Sequence, residues 1–245
     1  MDKSLELSTR KEDTRDKVVR VVIRFEVAEI KQHFDESITT VNGMFLIADD
    51  LNNSENKNQA ETIWRAQIVF LVSAFDFFMH EITKFGLGKI FDGVWEPTKK
   101  YNNITLDLAT LTTALKAGED SQWFVEFINE QFAKDTMVSY VSVREQMNLL
   151  GLDVQALADD TFYQRGSTEK TSDKLKRRLN SLFLKRNVIA HQSDRRHTDA
   201  EIMEITEATV REYVHRRELK QLNQAKHPYG MPGFDLILCR FCGEK

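Results

Sequence analysis

Residues 60–86 decide the fold of this chain, and their sequence is AETIWRAQIVFLVSAFDFFMHEITKFG. The segment is apolar on almost every face of a helix up to Gly86, and a helix of that kind belongs in the middle of a bundle. Helix-breaking residues are rare, since only 10 Gly and 3 Pro occur in the 245 residues of the chain. The other long segments repeat apolar residues every three to four positions, as helices do. The sequence therefore predicts an all-α helical bundle.

Other predicted helices surround this central one. Residues 14–50 form one long helix or two consecutive ones, and three shorter helices fall in the looser pattern between 87 and 166. A further helix ends at His191, and the last one starts at a capping box in which Thr198 pairs with Glu201. The expected architecture is a set of helices joined by polar loops, without an internal repeat.

We predict one domain followed by a tail. Residues 1–226 form the helical domain, with an insert at roughly 87–166, and residues 227–245 form the C-terminal tail. The tail carries Cys239 and Cys242, whose C-x-x-C spacing supplies half of a zinc site. A second chain would complete such a site, and the alternative is a pair of free thiols.

Composition limits the class of protein. Hydrophobic residues make up 41% and charged residues 29% of the chain, which is typical of a folded soluble protein. No apolar run reaches 18 residues, and residues 1–17 lack the apolar middle of a signal peptide, so neither a membrane span nor secretion is expected. Two cysteines do not make a disulfide framework, and the cytoplasm is the expected compartment. A Gly-rich phosphate loop, H-E-x-x-H and G-x-S-x-G are all missing, so we expect neither a cofactor nor a bound metal.

Charge is distributed unevenly along the chain. The net charge is −4, yet residues 170–197 contain nine Lys or Arg and only two Asp, a local net charge of +7. A basic segment on an acidic body is typical of a local site for a polyanion, and the alternative is a solvated helix face. If the polyanion is RNA, three residues of this segment are expected to bind its phosphates: Lys185, Arg195 and Arg196.

The central helix also carries polar residues. Four of them fall on one narrow stripe: Ser73, Asp76, His80 and Thr83. Asp76 is the most informative, because a carboxylate on a central helix needs a partner. Arg186 lies on the apolar face of its own helix, so it is predicted to point inward. For His80 we expect polar packing between helices.

The segment LKRNVIAH, residues 184–191, holds the residues best suited to catalysis: Arg186, Asn187 and His191. The bare Arg-x4-His pattern is weak, but here it ends a helix, its Arg faces the apolar side and basic residues surround it. This segment resembles the motif of the HEPN family (higher eukaryotes and prokaryotes nucleotide-binding), whose nuclease members carry R-x4–6-H, often as R-N-x-x-x-H. The aromatic-rich helix around Asp76 is similar to the other shared helix of the family, although Asp stands there in place of the commoner Glu.

The resemblance implies a metal-independent endoribonuclease, because RNA carries its own nucleophile in the 2′-OH. His191 would act as general acid or base near neutral pH, and Arg186 would stabilise the charge that develops on the scissile phosphate. Asn187 would orient the phosphate or the imidazole, and Asp76 would hold Arg186 in place. The implied products carry a 2′,3′-cyclic phosphate and a 5′-hydroxyl.

A homodimer is part of the same expectation. Arg186 and His191 lie about 140° apart on an ideal helix, so one chain converges them poorly. HEPN members solve this by dimerising, which places two motifs across a two-fold axis. The chain is most similar to stand-alone bacterial members associated with phage defence and toxin–antitoxin systems, which implies an antitoxin or another regulatory protein as a partner.

Two other classes of function stay open. A non-catalytic HEPN module would bind a nucleotide or a partner protein without cutting it, and a plain helical scaffold would use none of this chemistry. In those cases Arg186 and Asp76 form only a buried ion pair. His191 is then only a C-terminal cap favoured by the helix dipole.

Overall fold

The computed structural model describes residues 22–118 and 120–214, and in these ranges the chain has an all-α fold. Eight α-helices follow one another, without a β-strand among the described residues. They are α1 (Val27–Asn53), α2 (Lys57–Phe91), α3 (Leu108–Ala117), α4 (Gln122–Phe132), α5 (Tyr140–Leu150), α6 (Val154–Phe162), α7 (Thr171–Gln192) and α8 (Glu207–Val214). The predicted fold class is confirmed.

Helices α1 and α2 form a long antiparallel pair. The ring centroids of Phe34 and Phe78 lie 5.4 Å apart, and the side-chain amide of Gln67 donates to the Val41 carbonyl at 2.9 Å. The residue that lies later in α1, Val41, contacts the residue that lies earlier in α2, Gln67. This order is that of two antiparallel helices. All four side chains are buried, so this pair forms the centre of the core.

The central position predicted for residues 60–86 is confirmed, since α1, α4, α5, α7 and α8 all pack against α2. By length and composition alone α2 would also be able to cross a membrane. However, 44% of its most apolar 18-residue window is buried inside the protein. The core helix of a folded domain has the same length and composition, so these two properties do not place α2 in a membrane.

Gly86 lies inside α2 instead of ending it. The helix continues to Phe91, into the predicted insert at 87–166, which otherwise contains α3 to α6. A Cβ atom at Gly86 would come within 2.7 Å of a Leu150 methyl group and 2.9 Å of the Trp95 ring. Glycine therefore occurs here because two buried side chains approach the backbone closely, a reason that helix periodicity does not reveal.

The segment predicted to be helical within 14–50 contains α1, which begins at Val27 and ends at Asn53. Residues 22–26 before it are not helical, and residues 14–21 lie outside the described residues. At the other end of the chain, Cys239 and Cys242 lie outside the described residues. The two alternatives for them, half of a zinc site or a pair of free thiols, both stay open.

The last helix starts later than predicted. It begins at Glu207, and the hydroxyl of Thr206 accepts a hydrogen bond from the Thr209 amide at 3.2 Å, as a cap does. The predicted capping box of Thr198 and Glu201 is wrong, because both residues lie in the non-helical segment between α7 and α8. The tertiary contacts of that segment, described below, outweigh its local helix-start pattern.

Two glycine substitutions test this account of α2. We expect Gly86→Ala to lower the free energy of unfolding by about 1–3 kcal/mol, because the added methyl group overpacks the space next to Leu150 and Trp95. The matched control is Gly43→Ala in α1, where no atom lies within 4 Å of the added Cβ. That change should stabilise the protein by up to about 1 kcal/mol through helix propensity. Urea denaturation measures both, and equal effects of the two variants would contradict the close packing at Gly86.

Candidate functional site

The Arg-Asn-x-x-x-His motif occupies the last two turns of α7. Asp194, two residues beyond that helix, contacts Arg65 in the first third of α2, so the motif lies beside the first half of the central helix. Arg186 and Asn187 are half-buried there, whereas His191 is exposed in the final turn. Both residues belong to the continuous helix α7, and in a regular helix their Cα–Cβ directions differ by about 140°.

Asp76 does not hold Arg186, so the predicted ion pair is wrong. The Asp76 carboxylate accepts a hydrogen bond from the Met137 amide at 2.7 Å. The Arg186 guanidinium instead lies over the Phe183 ring, 5.7 Å from its centroid, and no carboxylate of the described residues is within salt-bridge distance of it. The partner of Asp76 comes from the loop between α4 and α5, which the sequence pattern of α2 and α7 does not reveal.

Two further residues of the polar stripe bind the same loop. The His80 Nε2 atom lies 3.0 Å from the Asp135 carbonyl oxygen, and the Thr83 hydroxyl lies 4.0 Å from the Met137 sulfur. His80 thus makes a polar packing contact, but its partner is a loop and not the helix that was predicted. Asp76 and its neighbours therefore fix the loop before α5.

Asp194 is the residue that the sequence analysis missed. Its side chain is fully buried, and its two carboxylate oxygens accept hydrogen bonds from Arg65 Nε and Lys185 Nζ, each at 2.9 Å. Arg65 also forms an ion pair with Glu61 at 3.3 Å. We call Asp194, Arg65 and Lys185 the Asp194 ion cluster. The sequence did contain an indication of this cluster, because Asp194 is one of only two acidic residues in the strongly basic segment 170–197.

The backbone around the Asp194 ion cluster is held in an unusual conformation. Ser193 and Asp194 both have left-handed φ angles, 51° and 57°, which cost roughly 1–2 kcal/mol each for residues other than glycine. The Asp194 amide donates to the Val188 carbonyl at 3.2 Å, inside the motif itself. Its carbonyl accepts from the Met203 amide at 2.7 Å, and Arg65 donates to the Met203 carbonyl at 2.7 Å. These contacts connect the end of α7, α2 and the segment before α8.

The three predicted RNA-binding residues have different surroundings. Lys185 belongs to the Asp194 ion cluster, so its charge is already compensated. Arg196 is exposed but forms ion pairs with Asp199 at 3.0 Å and with Glu201. Arg195 is exposed, and within the described ranges no carboxylate pairs with it. Of the three, Arg195 retains the charge that a phosphate would need.

One face of the central helix is exposed, although other helices pack against α2. Phe70 and Phe77 are 55% and 46% exposed, and Ser73 between them is also exposed. Positions seven residues apart fall on the same side of a helix, so the two aromatic rings share this face. Large apolar side chains exposed together on a central helix are typical of an interaction surface.

Comparisons of the chain with protein-family models, with curated proteins and with solved structures found nothing that matches it. In the part of the chain that the structure describes, no group of three or more His, Cys, Asp or Glu side chains is close enough to hold a metal ion. Any function therefore has to be inferred from the motif, the Asp194 ion cluster and the exposed face of α2.

Neutralising Asp194 tests the importance of the ion cluster. We expect Asp194→Asn to lower the free energy of unfolding by about 3 kcal/mol, because Arg65 and Lys185 lose the buried charge that compensates them. Asparagine tolerates the left-handed conformation, so the loss reports on charge and not on backbone strain. The control is Asp199→Asn at an exposed ion pair, where a change within about 0.5 kcal/mol is expected. An equally small effect at Asp194 in urea denaturation would contradict the account.

Proposed function

We propose that this protein is a HEPN-type, metal-independent endoribonuclease that acts as a homodimer. The main support for this proposal is the environment of the Arg186 guanidinium. It is half-buried at the end of α7, and its guanidinium lies over an aromatic ring with no described carboxylate to neutralise it. Burying part of an uncompensated guanidinium is unfavourable unless an anion binds it. The scissile phosphate of RNA is an anion of suitable geometry.

The reaction needs only groups that the chain supplies. The 2′-oxygen of RNA attacks the adjacent phosphorus, and the bond from phosphorus to the 5′-oxygen breaks. One imidazole removes the proton of the 2′-OH, and a second, protonated imidazole donates a proton to the leaving 5′-oxygen. Arg186 stabilises the additional negative charge on the phosphoryl oxygens, and Asn187 orients the phosphate or an imidazole. The products are a 2′,3′-cyclic phosphate and a 5′-hydroxyl.

A homodimer supplies the two imidazoles. Each chain has one His191 on an exposed helix end, pointing to a different side from Arg186. The exposed face of α2 with Phe70 and Phe77 lies on the helix against which α7 packs. A second copy that covers this face would bury both aromatic rings, and the proposed composite site requires in addition that the two α7 ends lie near the two-fold axis.

The proposed catalytic set is smaller than the set predicted from the sequence. Arg186, Asn187 and His191 are retained. Asp76 is assigned to positioning, because its carboxylate binds the Met137 amide and not the guanidinium. We also propose a cytoplasmic location and control by an inhibitory partner, such as an antitoxin or a phage-defence regulator, because an uncontrolled ribonuclease harms its own cell.

A non-catalytic HEPN module that binds a nucleotide or a protein is the second candidate. The separation of Asp76 from Arg186 favours it, because the predicted catalytic set is incomplete within one chain. The two candidates differ in one property that is easily measured, since a binding module leaves RNA intact.

Cleavage in a chelator tests the proposed function. We expect purified protein to cut single-stranded RNA in excess EDTA, because no step uses a metal, and to leave DNA of the same sequence intact. A 2′-O-methyl group at the cut site should prevent cleavage, since it removes the nucleophile. End-group analysis should find 2′,3′-cyclic phosphates. His191→Ala, a change at an exposed helix end, should lower the rate at least 100-fold while the melting temperature stays the same.

Three results would contradict this mechanism. Cleavage that depends on magnesium contradicts a metal-independent mechanism, and cleavage that leaves 3′-hydroxyl ends excludes attack by the 2′-oxygen. Full activity of the folded His191→Ala variant excludes His191 as the proton-transfer group. Intact RNA at all protein concentrations, with tight binding of nucleotides, would support the non-catalytic candidate.

A further inference from the structure

Residues 194–203 form a short antiparallel hairpin immediately after α7. The Arg196 amide donates to the Glu201 carbonyl and the Ala200 amide donates to the Arg196 carbonyl, both at 2.9 Å. One step closer to the base, Arg195 and Ile202 form an antiparallel bridge. The segment is therefore an ordered projection and not a simple connection to α8.

The base of this 194–203 hairpin is fixed to the helices. Asp194 and Met203 are joined by a backbone hydrogen bond of 2.7 Å, and each also binds Arg65 of α2. Lys185 of α7 binds Asp194 from the other side. Two helices, α2 and α7, thus hold the hairpin in one orientation, and it begins three residues after His191.

One face of the hairpin combines a free cation with an apolar side chain. Residues paired across two antiparallel strands direct their side chains to the same face, so Arg195 and Ile202 are neighbours there. Ile202 is 51% exposed and Arg195 is exposed. One nitrogen of the Arg195 guanidinium donates to the Ala200 carbonyl at 2.7 Å, which orients the group and leaves its other donors available.

Arg196, the next residue, provides an internal comparison. Its guanidinium binds Asp199 and Glu201 within the hairpin, so it contributes little net positive charge. The charge available to a polyanion is therefore concentrated at Arg195, beside an apolar surface. A single guanidinium next to an aliphatic side chain fits a phosphate together with the base or sugar beside it, which is the repeating unit of a single nucleic acid strand.

We propose that the Arg195–Ile202 face of the 194–203 hairpin binds the single-stranded RNA that flanks the cut, with Arg195 on a phosphate and Ile202 against the adjoining nucleoside. This inference rests on the proposed function for the identity of the strand. The Asp194 ion cluster then has a positioning role, since it fixes the distance between His191 and this second contact.

Salt-dependent binding tests the proposal in the full-length His191→Ala protein. The probe is a single-stranded 2′-O-methyl oligonucleotide, which is not cut, and its Kd is measured over a range of salt concentrations. Arg195→Gln should reduce the slope of log Kd against log salt by about 0.7, the value for one phosphate contact on a single strand. Arg195→Lys should restore most of the slope. Arg196→Gln is the matched control and should leave it unchanged, because its charge is already paired.

A second variant tests the apolar half of the face. Ile202→Ser should weaken binding several-fold at every salt concentration without a change in slope, because it removes contact and not charge. Melting temperatures of all variants should agree with the parent, since Arg195 and Ile202 are exposed. Equal slopes for Arg195→Gln and Arg196→Gln would overturn the proposal, as would equally tight binding of poly-glutamate.

The two proposals fail in different ways. If the wild-type protein cuts no RNA but Arg195→Gln alone changes the slope, the ribonuclease proposal fails and the hairpin remains a strand-binding surface. If the wild-type protein cuts RNA and neither Ile202→Ser nor Arg195→Gln alters binding, the hairpin proposal fails and the ribonuclease stands.

Discussion

Asp194 carries a fully buried carboxylate with one oxygen bound to Arg65 of α2 and the other to Lys185 of α7. Removing a carboxylate from water is unfavourable by several kcal/mol, so the arrangement is stable only when both cations and the surrounding backbone groups are in place. Those backbone groups belong to Val188 inside the motif and to Met203 before α8. The end of α7, the hairpin after it and the central helix are therefore positioned together.

The helices could be predicted from the sequence because their apolar residues repeat with the helical period. That periodicity identified α2 as the central helix and placed Arg186 on the inner side of α7. It did not identify the hydrogen-bond partners of the polar side chains, because these partners come from loops that are distant in the sequence. Asp76 illustrates the limit, since its partner is a backbone amide of the loop before α5. Gly86 illustrates it again, since close packing and not a helix end explains that glycine.

In the basic segment 170–197, the folded structure leaves fewer positive charges available than the sequence contains. Residues 170–197 predict a local site for a polyanion, with a solvated helix face as the alternative, yet Lys185 and Arg196 are paired with carboxylates in the folded chain. Arg186 and Arg195 are left with uncompensated charge at the same end of α7, as far as the described residues show. These two cations precede and follow an exposed His191 along the chain, and in the proposed ribonuclease Arg186 binds the scissile phosphate and Arg195 binds a phosphate of the flanking strand.

In the proposed ribonuclease, one chain supplies half of the site and a second copy completes it. Mixed dimers of one wild-type chain and one His191→Ala chain distinguish this shared site from two separate sites, with mixed dimers of wild-type and Gly43→Ala chains as the control for the tagging and purification. We expect the His191→Ala mixed dimers to cut RNA at almost none of the wild-type rate, because proton removal and proton donation each need one imidazole. Retention of about half the wild-type rate, as two independent sites within separate chains would give, would contradict it.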